Sequence, residues 1–144
     1  ITCRDWSSDV CSSDLAEHRV CTEEEVLAIQ SRKTGALISA ACQLGVIAAG
    51  GSPAQQQAAA DYAASLGLAF QIEDDILDVV GDAAKLGKAT GMDQNKNTFV
   101  RLHGVEACRA RITEETQRAV AALAPFGQAE FLTELAQRLT SRDH

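Results

Sequence analysis

The sequence has few of the residues that build β-strands and turns. Only 4% of its residues are aromatic and two are proline, whereas Ala, Leu, Gln and Glu are abundant. A β-sandwich would need Val, Thr, Tyr and Phe in its strands, and the abundant residues favour helices instead. A chain of 144 residues with 46% apolar content can bury the core of one ordinary domain. The composition therefore predicts an all-α fold.

The chain also lacks an excess of positive charge and any long apolar run. Its formal net charge is −7 and its acidic residues are dispersed, so we expect no nucleic-acid partner. A charged or amide side chain interrupts every apolar stretch before it reaches the ~18 residues that a membrane-spanning helix needs. We therefore expect no membrane span.

Cysteine pairs with metal-binding or redox spacing are missing as well. The five cysteines are odd in number, show no Cys-x-x-Cys spacing and follow no secretory signal. These features argue against a disulfide framework and a zinc site. They favour a reducing, cytoplasmic environment.

The opening segment, residues 1–15, differs in composition from the rest of the chain. It is rich in Ser and Asp and contains the only tryptophan, Trp6. The stretch DWSSDVCSSDL, residues 5–15, can be encoded by a sequencing-library adapter read in frame. We therefore expect residues 1–15 to be non-native and residues 16–144 to be the carboxyl-terminal part of a natural domain.

Helix signals divide the remainder into four stretches. Thr22 and Glu25 have the spacing of a capping box, which predicts a helix over about residues 23–49. Its apolar positions recur at helical intervals at Val26, Ile29, Leu37, Ala40, Leu44 and Ile47. Ser52-Pro53 starts a second helix, which runs to Val80 and which Gly81 is expected to end.

The carboxyl-terminal part of the sequence predicts a loop followed by two further helices. Residues 81–97 are rich in Gly, Lys and Asp, which predicts an irregular, charged loop. A third helix is expected over about 98–124, with a bend near His103-Gly104, and a fourth over 128–142.

An acidic cluster in the second helix is the most informative feature. Gln71, Asp74, Asp75 and Asp78 share one face of a helix by the i, i+3 and i, i+4 rule. The flanks are strongly apolar, so a buried helix with converging carboxylates needs a cation. Mg²⁺ fits, because it prefers hard oxygen ligands and joins one or two carboxylates to substrate phosphates. A plain solvated face stays an open alternative.

Cationic residues accompany this cluster. Lys33-Thr34 lies in the middle of the first helix, and Lys88 and Lys96 lie in the glycine-rich loop. Taken alone, Lys33-Thr34 fits a solvated helix face better than a binding site, whereas the two loop lysines fit either equally well. Together, the motifs KTGAL and FQxxDDILDVxGD and the two later lysines resemble, in order and spacing, the polyprenyl diphosphate synthases, most closely the bacterial farnesyl diphosphate synthases.

The resemblance covers about residues 23–144 and implies an isoprenoid-synthase-like helical bundle of which only the carboxyl-terminal half is present. Members of this family condense isopentenyl diphosphate with an allylic diphosphate. By resemblance, Asp74, Asp75 and Asp78 engage Mg²⁺ on the allylic diphosphate. The resemblance also implies a homodimer for the full-length protein.

The same resemblance assigns the remaining site residues. Lys33, Lys88 and Lys96 would contact the diphosphate, with Lys96 the less secure because the loop before it is short. Thr34 and Gln71 would direct side-chain oxygens toward the allylic carbocation. These two residues and Lys33, through its diphosphate contact, would be the catalytic residues. The released pyrophosphate would accept the proton, so no protein base is implied.

The family's first aspartate-rich motif, which neighbours the residues that set product length, has no counterpart in this sequence. We therefore expect the 144-residue chain to be inactive alone and to associate through exposed apolar faces. Three alternatives stay open: a class I terpene cyclase fragment, a non-catalytic diphosphate-binding subunit, and a helical fragment without a ligand.

Overall fold

The structure is a computed structural model that describes residues 22–86 and 98–141, apart from the side chains of residues 30, 33 and 81–86. Every regular element in these two ranges is helical, which confirms the all-α prediction. The elements are α1 Glu23–Gln30, a π-helical turn Ser31–Gly35, α2 Ala36–Ala48, α3 Pro53–Leu86, α4 Phe99–His103, α5 Val105–Ala122 and α6 Glu130–Leu139. The segment 1–15 lies outside the described residues.

Two helices begin where their capping residues predict. The Thr22 hydroxyl accepts a hydrogen bond from Glu25 N, and the Glu25 carboxylate accepts one from Thr22 N, so the predicted capping box is present at α1. Ser52 and Gln55 make the same reciprocal pair at the start of α3. Each pair satisfies backbone N–H groups that the first turn of a helix leaves without a partner.

Helix α3 is longer than the sequence predicts. It continues through Gly81 to Leu86, a total of 34 residues and roughly 50 Å. Glycine disfavours a helix by only about 1 kcal/mol relative to alanine, and the residues that follow Gly81 are mainly good helix formers. The expected end at Gly81 is therefore wrong, and the rest of the predicted loop, residues 87–97, lies outside the described residues.

The first predicted helix is not one regular helix. A π-helical turn interrupts it at Ser31–Gly35, and an extra residue in a turn rotates everything after it by about 100°. Val26, before the turn, is buried, whereas Leu37 and Leu44, after it, are 74% and 64% exposed. The apolar positions that share one face on a regular helix are therefore divided between two faces.

The carboxyl-terminal helices confirm the predicted bend. Gly104 has φ 80 and separates α4 from α5, and this backbone conformation costs a glycine little. A turn after Leu123 leads to α6, which is shorter than predicted and ends at Leu139.

The core lies along α3, which packs chiefly against α5. One buried cluster comprises Val26, Ala69, Ile72, Ile76, Phe99, Cys108 and Ile112. A second comprises Tyr62, Leu66, Ala119, Leu123 and Ala136. Burial of these side chains is the main stabilising contribution. It fixes the rotation of α3, so that the face opposite α5 meets the π-helical turn.

No helix of the described ranges is long and apolar enough to cross a membrane.

Candidate functional site

A hydrogen bond joins two predicted site residues that lie far apart in the sequence. The side-chain amide of Gln71, on α3, donates to the hydroxyl oxygen of Thr34, in the π-helical turn, over 3.0 Å. Both side chains are half-buried. The structure therefore brings together the two residues that were expected to face the carbocation.

The predicted carboxylates continue from Gln71 towards the carboxyl end of α3. Asp74 and Asp75 are half-buried, and Asp78 is exposed. They follow Gln71 by three, four and seven residues, which is about 5 to 10 Å along the axis. We call this side of α3 the carboxylate face. Its half-buried end lies next to the Thr34–Gln71 contact, and its other end, at Asp78, is exposed to solvent.

Asp75 is also tied to the neighbouring helices. Its Oδ2 accepts a long hydrogen bond of 3.4 Å from the backbone N–H of Phe99, the first residue of α4. Cys108 of α5 is buried, and burial raises the pKa of its thiol, with a further increase from the negative charge of Asp75. Asp75 therefore connects the carboxylate face to the packing of α4 and α5.

The carboxylates share a face but do not form a closed metal cage. Within the described ranges, no group of three or more His, Cys, Asp or Glu side chains could hold a metal ion. Asp74 and Asp75 are consecutive residues, so they leave α3 about 100° apart and border its face on two sides. These oxygen donors still fit Mg²⁺, which commonly uses one or two carboxylates and takes its other ligands from water and substrate phosphate.

The three predicted lysine contacts lie outside the described residues. The backbone of Lys33 forms part of the π-helical turn, but its side chain belongs to the part that is not described. Lys88 and Lys96 both fall within 87–97. The diphosphate contacts of the three lysines therefore stay predictions.

An apolar cleft lies beside the Thr34–Gln71 contact. This open cavity of about 510 Å³ is lined mainly by small or apolar residues of α1, the π-helical turn, α2 and α3. The lining residues are Leu27, Ala28, Ser31, Gly35, Ala36, Ser39, Ala64, Gly67 and Leu68. The cleft was not predicted from the sequence, although small residues at helical spacing, such as Ala64 and Gly67, are a signal of a close helix contact.

Comparison with known proteins agrees with these features. The sequence matches the family described as Polyprenyl synthetase over residues 5–130. The chain is 51% identical over 86 residues to the farnesyl diphosphate synthase of Escherichia coli, covering 58% of this chain and 29% of that protein. It is 37% identical over 116 residues to the farnesyl diphosphate synthase of Haemophilus influenzae, covering 76% of this chain and 38% of that protein.

A solved structure gives the same result for the fold. An FPP/GFPP synthase from Zymomonas mobilis superimposes with a TM-score of 0.73 and 30% identity, covering 89% of this chain and 43% of the other. The chain thus spans less than half of the length of each of these relatives. The match over most of the sequence and the shared helical fold lead to one conclusion: the chain belongs to the polyprenyl synthetase family.

Proposed function

We propose that this chain supplies the allylic-diphosphate side of a prenyltransferase site, in an enzyme that condenses isopentenyl diphosphate with an allylic diphosphate. The observation that carries the proposal is the hydrogen bond between Thr34 and Gln71 at the inner end of the carboxylate face. Along α3, Gln71 follows the cleft residues Gly67 and Leu68 and precedes the carboxylates that begin at Asp74. This arrangement matches a substrate whose hydrocarbon tail binds in the apolar cleft and whose charged head lies near the carboxylates.

The head of the substrate would lie along the carboxylates. Asp74, Asp75 and Asp78 would hold Mg²⁺, which supplies Lewis-acid neutralisation of the diphosphate when it is bound. Cationic side chains would add attraction that grows as the pyrophosphate leaves with the electron pair of the broken C–O bond. Lys33, Lys88 and Lys96 are the residues proposed for this role.

The reacting carbon would lie near Thr34 and Gln71. Their side-chain oxygens would stabilise the allylic cation, because fixed dipoles directed at a developing charge need no reorganisation during the reaction. The double bond of isopentenyl diphosphate then attacks the cation, and a proton passes to the released pyrophosphate. The adjacent cleft, with its small and apolar lining, would bind the hydrocarbon chain.

Because the chain spans 29% of the Escherichia coli relative, we propose that it is inactive alone and that the complete site needs further residues. We also propose a farnesyl product, on the basis of the curated relatives named farnesyl diphosphate synthase. A homodimer is the proposed assembly of the whole protein.

A chimera tests this function directly. Residues of this chain replace the 86 matched residues of the Escherichia coli farnesyl diphosphate synthase, and the purified chimera receives isopentenyl diphosphate, an allylic diphosphate and Mg²⁺. We expect prenyl diphosphates lengthened by isoprene units, identified by mass spectrometry. Asp74→Asn in the chimera should lower turnover by roughly 100-fold, because it removes a carboxylate that would hold Mg²⁺, the ion that would neutralise the leaving pyrophosphate.

The outcomes separate the alternatives. A folded, helical chimera that binds Mg²⁺ and pyrophosphate without turnover would favour a non-catalytic subunit and contradict the proposal. Cyclic hydrocarbon as the only product would favour a terpene cyclase. Elongated prenyl diphosphate made equally well by the Asp74→Asn chimera would reject the role of the carboxylate.

A further inference from the structure

Two glycines approach each other next to the Thr34–Gln71 hydrogen bond. Gly35 is the last residue of the π-helical turn and follows Thr34, whereas Gly67 lies in α3 one turn before Gln71. We propose that Gly67 is a positioning residue, whose missing side chain lets the π-helical turn approach α3 closely enough for Thr34 and Gln71 to meet. The structural part of this inference stands alone, and its catalytic consequence rests on the proposed function.

The space at Gly67 shows why a side chain does not fit there. A Cβ atom added to Gly67 would lie 3.1 Å from the Cα of Gly35 and 3.9 Å from its backbone nitrogen. The first distance is shorter than ordinary van der Waals contact between carbon atoms. Because the opposing atoms belong to backbone, no side-chain rotation can relieve the contact, and the two helices would have to separate by a few tenths of an ångström.

The backbone conformation of Gly67 gives no other reason for a glycine. Among the described residues, positive φ angles occur at Gly50 and Gly104, so Gly67 has ordinary helical geometry. Glycine inside a helix is destabilising relative to alanine. At this buried position, the close approach of the two backbones is therefore the feature that requires glycine.

The glycine contact and the hydrogen bond act on the same two segments. Residues 67 and 71 are four apart, so they lie one above the other on one face of α3. That face contacts Gly35 at one turn and Thr34 at the next. Moving Gly35 away from Gly67 therefore also moves Thr34 away from the amide of Gln71.

The test begins with the unsubstituted 144-residue chain and nuclear magnetic resonance. Gly35 and Gly67 α-protons should show a nuclear Overhauser effect, and its absence from an assigned, folded spectrum overturns the inference without any variant. In Gly67→Ala, the side-chain amide resonances of Gln71 should shift towards those of a solvated amide. Gly45→Ala is the matched control, because a Cβ at Gly45 meets nothing within 4 Å, and it should leave those resonances unchanged.

A double-mutant cycle separates positioning from general destabilisation. Thr34→Val removes the acceptor hydroxyl, so Gly67→Ala should change the Gln71 amide much less in the Thr34→Val background than in the unsubstituted chain. Equal changes in both backgrounds contradict the inference. In the active chimera, Gly67→Ala should lower kcat by about tenfold with little change in KM, since a misplacement of about 1 Å can cost roughly 100-fold. A loss confined to KM would also contradict it.

Failure of the inference and failure of the proposed function give different results. If the chimera is folded but inactive, the prenyltransferase proposal fails, and the resonance measurements still decide whether Gly67 positions Thr34 and Gln71. If the chimera is active but Gly67→Ala behaves like Gly45→Ala in every measurement, only the inference fails.

Discussion

Asp75 interacts with residues of two other helices, and the sequence around Asp75 does not predict these interactions. Its carboxylate accepts from the backbone of Phe99, 24 residues later, and influences the thiol of Cys108. Helical spacing placed Asp75 on the same face as Asp74 and Asp78, but spacing within one helix carries no information about the helices that pack beside it. The role of Asp75 in joining α4 to the site therefore required the structure.

Tyr62 provides a pH-dependent test of the packing between α3 and α6. Its hydroxyl donates to the carbonyl oxygen of Leu132 over 2.8 Å. Burial, with a smaller contribution from the charge of Cys42, raises the pKa of Tyr62 from 10.0 to about 12. The folded state thus holds this proton more tightly than the unfolded state, so the stabilisation is present below pH 10 and is lost as the pH rises towards 12.

Tyr62→Phe should lower the free energy of unfolding by about 1 kcal/mol at neutral pH, because the hydrogen bond is lost and Leu132 loses its donor. The substitution should also remove the decrease in the free energy of unfolding that ionisation of the Tyr62 hydroxyl causes above pH 10. Urea denaturation over a pH series measures both effects. Curves for the variant and the unsubstituted chain that stay parallel at every pH would contradict the assignment. Tyr62 is the only tyrosine, so ultraviolet titration of tyrosinate reads its pKa directly.

The contact between Thr34 and Gln71 shows how far sequence reasoning reaches at single residues. The resemblance to a family indicated both residues as site residues, but they are 37 positions apart, and periodicity predicts no such pairing. The close approach of Gly35 and Gly67 was missed for the same reason. Glycine in an apolar helix signals a packing contact without naming its partner.

Helix ends were predictable where a side chain or glycine satisfies the backbone locally. Thr22, Ser52 and Gly104 mark boundaries in the structure as they do in the sequence. The π-helical turn at Ser31–Gly35 was not predictable, because its residues would fit a regular helix equally well and its stabilising contacts come from α3. Helical periodicity alone therefore groups Leu37 and Leu44 with Val26, although Val26 is buried and both leucines are exposed.

Gly81 and Gly104 should respond oppositely to substitution by alanine. Gly81 lies inside α3, so Gly81→Ala should raise the free energy of unfolding by about 0.5 to 1 kcal/mol. Gly104 has φ 80, so Gly104→Ala should lower it by more than about 1 kcal/mol. Chemical denaturation of both variants measures the difference. Destabilisation by both substitutions would indicate that α3 ends at Gly81, as the sequence pattern predicts.

Within the described residues, helix α2 carries an apolar surface that is exposed to solvent. We call Leu37, Leu44 and Ile47 the α2 stripe; these side chains are 74%, 64% and 54% exposed. Contiguous apolar surface of this kind favours association. The proposed homodimer agrees with an exposed apolar surface of this kind.

The α2 stripe should make the purified chain associate with itself. Leu44→Lys places a charge in the middle of the stripe, so we expect a smaller weight-average mass in sedimentation experiments at high protein concentration. Phe131→Lys is the control, since Phe131 is 73% exposed on α6. Association reduced equally by both substitutions would show a nonspecific effect rather than contact through α2.

The central claim is that the carboxylate face of α3, formed by Asp74, Asp75 and Asp78, binds a diphosphate together with Mg²⁺. Calorimetric titration of pyrophosphate and Mg²⁺ into the full 144-residue chain tests it most directly, with Asp74→Asn as the variant. Asp61→Asn is the control, because Asp61 is exposed on the same helix and lies about 20 Å from Asp74 along the axis.

We expect binding to the unsubstituted chain and to Asp61→Asn, and affinity lower by roughly tenfold or more in Asp74→Asn, since a hydrogen bond or ligand contact to a charged group contributes about 1.5 to 3 kcal/mol. Equal binding heats for the unsubstituted chain and Asp74→Asn, or none for either, would contradict the assignment of the site.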